Sequence, residues 1–127
     1  MHTKEGFMHT YTLTIQNSKR MLLDEKGNEK ESDTDTAFTL TLCYTDPPST
    51  PGAAHVLVND LDLILQTSTT IAGVQSLEYS FGNSGSNANA KKDGSNTCEQ
   101  IVLPQHKEMS VTIIVVAFRL MTPSQPY

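Results

Sequence analysis

The sequence predicts an all-β domain, an antiparallel β-sandwich. Three observations carry that expectation. Apolar residues recur at every second position, the runs that alternate are rich in Thr, Val, Ile, Leu, Tyr and Phe, and Pro- or Gly-containing stretches separate them with no helical period between. With 127 residues, 37% of them hydrophobic, the chain can build one cored domain and is too short for two ordinary ones.

Taken in order, "YTLTIQ" (11–16) alternates and reads as the first strand, and "RMLL" (20–23) follows it. The charged "DEKGNEKESDTD" (24–35) then reads as a solvated hairpin loop. "AFTLTLCYTD" (37–46) is a strand with Phe38, Leu40, Leu42, Tyr44 and Asp46 on its core side and Thr39, Thr41, Cys43 and Thr45 on the other. Pro47, Pro48, Pro51 and Gly52 end regular pairing, because proline cannot donate to a ladder, and carry the chain through a crossover.

"HVLVNDLDLIL" (55–65) resumes as a strand, with Leu57, Asn59, Leu61, Leu63 and Leu65 on one side and Val58, Asp60, Asp62 and Ile64 on the other. "FGNSGSNANAKKDGSN" (81–96) reads as a long loop. "EQIVL" (99–103) sets Glu99, Ile101 and Leu103 together, and "SVTIIVVAF" (110–118) is the last strong strand.

A formal net charge of −5 argues against nucleic acid or an anionic membrane surface as the main partner, since either favours a basic face. No apolar stretch reaches the roughly 18 residues that span a bilayer, and "MHTKEGFMHT" lacks the apolar region of a secretory signal. Cys43 and Cys98 are too few for a disulfide scaffold and form no zinc motif; they are either two small semi-buried hydrophobes or a pair that the fold brings together. His2, His9, His55 and His106 are scattered without ligand spacing. The glycine-containing loop lacks the ending of a phosphate-binding loop, and its Lys91 and Lys92 read as a solvated pair.

The candidate site comes from register. Asp46, Asn59 and Glu99, from three separate segments, each share the side of the apolar residues around them, so their polar groups converge at one rim of the sandwich. Asp60 and Asp62, roughly 7 Å apart along one strand face, add a second oxygen pair. These are hard oxygens without His or Cys, which suits Ca²⁺ rather than zinc or copper. Two readings stand side by side: a metal-free network in which turn amides satisfy the acids, and a calcium site with loop carbonyls completing the shell.

At "LTLCYTDPPSTPGAAHVLVNDLDLIL" (40–65) the chain resembles the jelly-roll, galactose-binding-domain-like β-sandwich that follows the catalytic domain in many subtilisin-like serine proteases. Those domains read Val-Thr-Leu-Val-Trp-Thr-Asp-Pro-Pro and then Leu-Val-Asn-Asp-Leu-Asp-Leu. "FGN" (81–83), "DGSNTCEQIVL" (93–103) and "SQPY" (124–127) extend the likeness in the same order. Tyr44 stands where the family has Trp, Thr97 replaces the second Asn of an Asn-Asn pair, Cys43 and Cys98 occupy hydrophobic positions, and the family's following Ala-Leu-Val strand is absent.

The resemblance implies a non-catalytic accessory domain, part of a larger secreted or secretory-pathway protease, with the subtilisin-like catalytic domain as its partner in cis. It also implies stabilisation of that domain, often with calcium, and a role toward protein substrates. The His-Gly-Thr-His and Gly-Thr-Ser-Met motifs that such catalysis needs are not in this chain. A stand-alone carbohydrate- or protein-binding sandwich is the alternative, though with no Trp and 6% aromatic residues the chain is poorly equipped for sugars.

Overall fold

The computed structural model describes residues 7–15, 20–23, 25–32, 36–84, 89–105, 109–122 and 125–127. The fold is all-β and its pairings are antiparallel. A four-stranded sheet runs in the order β1 (Met8–Ile15), β8 (Met109–Arg119), β5 (Asp60–Ile71), β6 (Val74–Phe81). A second, two-stranded sheet pairs β4 (Thr36–Cys43) with β7 (Cys98–Gln105), and β2 (Arg20–Leu23) pairs with β3 (Glu29–Ser32) in a separate hairpin. Among the described residues no helix is long and apolar enough to cross a membrane.

The core forms between the first two sheets, where period-two alternation puts one face of each strand inward. Leu42 and Tyr44 enter from the β4 side, Leu61, Leu63 and Leu65 from β5, Ile101 from β7, and Val111, Val115 and Ala117 from β8. The intervening Thr39, Thr41 and Cys43 are exposed, as the alternation requires. Leu65 and Val111 are fully buried, so each contributes about 1.5–3 kcal/mol through removal of its side chain from water.

Two elements go beyond the sequence reading. The charged segment is not loop throughout: Glu29–Ser32 pairs with β2, with a turn around Gly27 at positive φ. Residues 24 and 33–35 of that segment lie outside the described residues, as do Gln16, His2, His106 and Ser124. Strand β6 leaves no clear period-two mark in the sequence: it lies at a sheet edge with Val74, Leu77 and Tyr79 exposed, and its burial does not alternate. Ala72 and Gly73, both at positive φ, form the two-residue turn that reverses β5 into β6, a backbone that glycine adopts without steric cost.

Strand β5 outruns its neighbour. It pairs with β6 from Ile64 to Ile71, leaving the β6-side edge at Asp60 to Leu63 without a strand partner, while β8 continues along the other edge to Arg119. The ladder to β8 shifts register between Asp60 and Leu61. This open edge is where the acidic side chains of β5 and β7 gather.

Candidate functional site

Two polar groupings occupy this end of the sandwich. In the first, Asp46 accepts backbone hydrogen bonds on both oxygens, from Val58 N at 2.7 Å and Asn59 N at 2.8 Å, and so ties the end of the β4 segment to the chain leading into β5. Asn59 is completely buried and has partners for every side-chain atom that can bond. Its Nδ2 donates to Thr122 Oγ1 and Gln125 Oε1, and its Oδ1 accepts from Met121 N and Thr122 N. The Tyr44 hydroxyl donates to Asn59 O and accepts from Leu61 N. Asp46 and Asn59 are therefore held by the protein's own donors and acceptors, which is how buried polar groups avoid a desolvation penalty.

The second grouping is Asp60, Asp62 and Glu99, each at most 5% exposed. Glu99 Oε2 accepts from Leu63 N at 2.7 Å, and Gly82 N donates to Leu63 O at 2.9 Å. The carboxylate thus stands in for a strand carbonyl at the open edge of β5. Gly82 has to be glycine here, because a Cβ on it would lie 2.5 Å from Glu99 Cβ and closer still to Glu99 Oε2. Among the described residues the other Glu99 oxygen, Oε1, has no hydrogen-bond partner, and neither does Asp60 Oδ1 or Asp62 Oδ1.

The loop after β6 wraps over this cluster. Lys92 reaches Asp62, with Nζ 3.1 Å from Oδ2, and lies 5.3 Å from the centre of the Phe118 ring. The contact is an ion pair by distance, although the oxygen receives no well-aligned hydrogen bond. Lys92 is thus exposed, as its loop context predicts, and also paired with Asp62. Asn83 anchors the same loop: Nδ2 donates to Asp93 Oδ2 and Cys98 O, while Oδ1 accepts from Gln100 N. The sequence signal for Asn83 is "FGN", a turn triplet, and Asn83 does adopt the left-handed conformation that asparagine tolerates.

The electrostatics follow from burial. Desolvation pushes the Glu99 carboxyl up to about 7, with Asp62 and Asp93 adding repulsion and the Leu63 amide opposing it. Desolvation also raises Asp60, reinforced by Asp62, and raises Asp62 against the pull of Lys92. Asp93 goes the other way: burial opposes its ionisation, but hydrogen bonds from Asn83, Asn96 and Ser95 hold it below the ordinary carboxylate value. Tyr44 is pushed up to about 12 by burial, aided by Asp60, Asp46 and Glu99. Three acids thus carry ionisable oxygens without donors among the described residues.

Neither the protein-family models nor the curated proteins gave a match to this chain.

The donor chemistry of the acid cluster fits a hard cation: buried carboxylate oxygens, four of them without a hydrogen-bond partner among the described residues. Among the described residues no three acidic, His or Cys side chains already stand at metal-ligand spacing, so the cage is not preformed. The arrangement can therefore do two things chemically. It holds protons more tightly than free carboxylates do, and it offers oxygens to a cation able to displace Lys92.

Cys43 and Cys98 face each other across β4 and β7 and are joined in a disulfide, with Cα atoms 4.2 Å apart. That settles the alternatives left open by the sequence. A separate cleft of about 220 Å³ lies on the inner face of the four-stranded sheet, floored by Leu61, Val115, Ala117 and Leu120, with His9 and Tyr127 at its rim. The His9 ring and the Tyr11 hydroxyl both hydrogen-bond the Tyr127 hydroxyl there.

Proposed function

We propose that this chain is a non-catalytic accessory domain of a subtilisin-like serine protease, which braces its catalytic partner in cis and takes up Ca²⁺ at Asp60, Asp62 and Glu99. The observation that carries the reading is the set of three buried carboxylates, each with an oxygen that no donor among the described residues reaches. Removing a polar atom from water without a partner costs about 1–3 kcal/mol, and more for a charge, so three in one place are best understood as waiting for a ligand. The motif order from "TDPP" through "LVNDLDL" to "DGSN…EQIVL" supports the protease connection, and the disulfide suits an oxidising compartment.

Bound Ca²⁺ would supply positive charge to the three acids and tie the loop carrying Asp93 to the edge of β5. Asp46 and Asn59 keep the end of the sandwich in register without taking part. The role toward a protein substrate belongs to the same proposal.

Thermal melting in chelator and in graded Ca²⁺ tests the cation. At one hundred times Kd the folded state gains about 2.7 kcal/mol, a rise in Tm of roughly 10 °C for a domain of this size. An unchanged Tm up to millimolar Ca²⁺ removes the cation from the reading. The protease connection is tested by the reading frame upstream of Met1, where His-Gly-Thr-His and Gly-Thr-Ser-Met are expected in sequence. The alternative, a recognition module, is favoured by the cleft beside Tyr127, and reproducible binding of a glycan or peptide that Leu120→Asp abolishes would establish it.

A further inference from the structure

We propose that the Cys43–Cys98 disulfide is a redox-modification site through which a dithiol reductant weakens cation binding at the acid cluster; the proposal rests on the calcium reading above. Both cysteines are exposed, so a thiol can approach either sulfur, and exposed disulfides are the labile ones. The pair terminates the β4–β7 ladder. Beyond it the two strands share one further backbone bond, from Tyr44 N to Thr97 O at 3.0 Å.

Each cysteine leads straight into the site. Glu99 follows Cys98 and carries the carboxylate at the edge of β5, and Cys98 O accepts from the same Asn83 Nδ2 that holds Asp93. Tyr44 follows Cys43, and its hydroxyl bridges Asn59 O and Leu61 N at the start of β5. The cross-link spans 55 residues and encloses β5, β6 and the loop with Lys92 and Asp93, which is the whole acid cluster apart from Glu99. The remaining ladder, from Thr36–Gln105 to Leu42–Glu99, stays paired when the bond opens. Reduction therefore removes the covalent tie at the end of the β4–β7 ladder, leaving the segment next to Glu99 held by the Tyr44 N–Thr97 O bond, and keeps the sandwich assembled.

The exchange balances without another reactant. One thiolate of the dithiol attacks a protein sulfur, the S–S bond breaks and a mixed disulfide forms. The second thiol of the reductant then displaces the protein sulfur and closes its own disulfide. The protein pair gains two electrons and two protons as two thiols, and the dithiol is oxidised by the same two electrons.

The test titrates the chain with Ca²⁺ by calorimetry before and after treatment with dithiothreitol, with intact mass to read the two added hydrogens and far-ultraviolet circular dichroism to confirm the fold. We expect the apparent Kd for Ca²⁺ to rise about tenfold on reduction, and to return on reoxidation, because ordering the segment that carries Glu99 around the cation then costs more. The Cys43→Val/Cys98→Val chain should bind like the reduced protein and ignore the dithiol. Equal Kd in both states overturns the coupling while leaving the calcium reading intact. A disulfide that native protein does not surrender, or a reduced chain that loses its β spectrum, also overturns the proposal. Absence of Ca²⁺ binding in both states overturns it together with the calcium reading.

Discussion

Glu99 completes the hydrogen bonding of Leu63: a side-chain carboxylate from β7 accepts the β5 amide at 2.7 Å, just past the point where the β6 ladder ends. One residue thus serves two ends, satisfying a backbone donor with one oxygen and leaving the other buried and unpaired. Packing enforces the arrangement, since Gly82 sits so close that a methyl group there would overlap Glu99.

Gly82→Ala is therefore expected to destabilise the chain by about 2–3 kcal/mol, the scale of overpacking a filled site. The contact is with Glu99 Cβ as well as with the carboxylate, so rotating the side chain cannot relieve it. Urea denaturation with a lowered midpoint and unchanged slope checks this.

The raised Glu99 carboxyl fixes the sign of the pH dependence in chelator. Its folded value of about 7 lies above the ordinary 4.5, so the folded state holds this proton more tightly than the unfolded one. That contribution is fully present below 4.5 and is lost as pH rises through 7, and the raised Asp60 and Asp62 act in the same direction. Metal-free protein should thus melt higher at pH 5 than at pH 8. Glu99→Gln, which keeps an acceptor for Leu63 N, should flatten the profile and stabilise at pH 8 by up to about 3 kcal/mol.

Lys92 and a cation compete for Asp62. In chelator, Lys92→Met should cost about 1 kcal/mol, a value discounted for the lysine's exposure to solvent. In Ca²⁺ the sign reverses, because the site no longer has to release an ammonium, and affinity should rise several-fold by calorimetry. Weaker Ca²⁺ binding in the variant would remove competition as the relationship.

Asn59→Asp tests the first polar grouping. The change removes two donated hydrogen bonds, to Thr122 Oγ1 and Gln125 Oε1, and sets a carboxylate oxygen against the Gln125 carbonyl oxygen, which cannot donate, in a fully buried position. A loss of about 3 kcal/mol or more is expected at neutral pH, shrinking in acid as the new carboxyl takes up a proton. Asp46→Ala should cost about 2–4 kcal/mol by orphaning the Val58 and Asn59 amides, with no effect on Ca²⁺ affinity.

The β class, the inward faces of β4, β5 and β7, and the improbable burial of Asn59 and Glu99 are legible in the order of the residues alone. All of these follow from one local property: successive Cβ atoms on a strand point to opposite faces, so register can be read from a few residues of text. Tertiary structure alone decided that Asp46 and Asn59 belong with backbone amides and the C-terminal segment, whereas Asp60, Asp62 and Glu99 form a separate acid cluster. It also decided that Cys43 meets Cys98, that Lys92 closes over Asp62, and that Val74–Phe81 joins the sheet as an edge strand. Those facts depend on contacts between residues far apart in the chain, where loop closure and packing choose the partners and no local period records the choice.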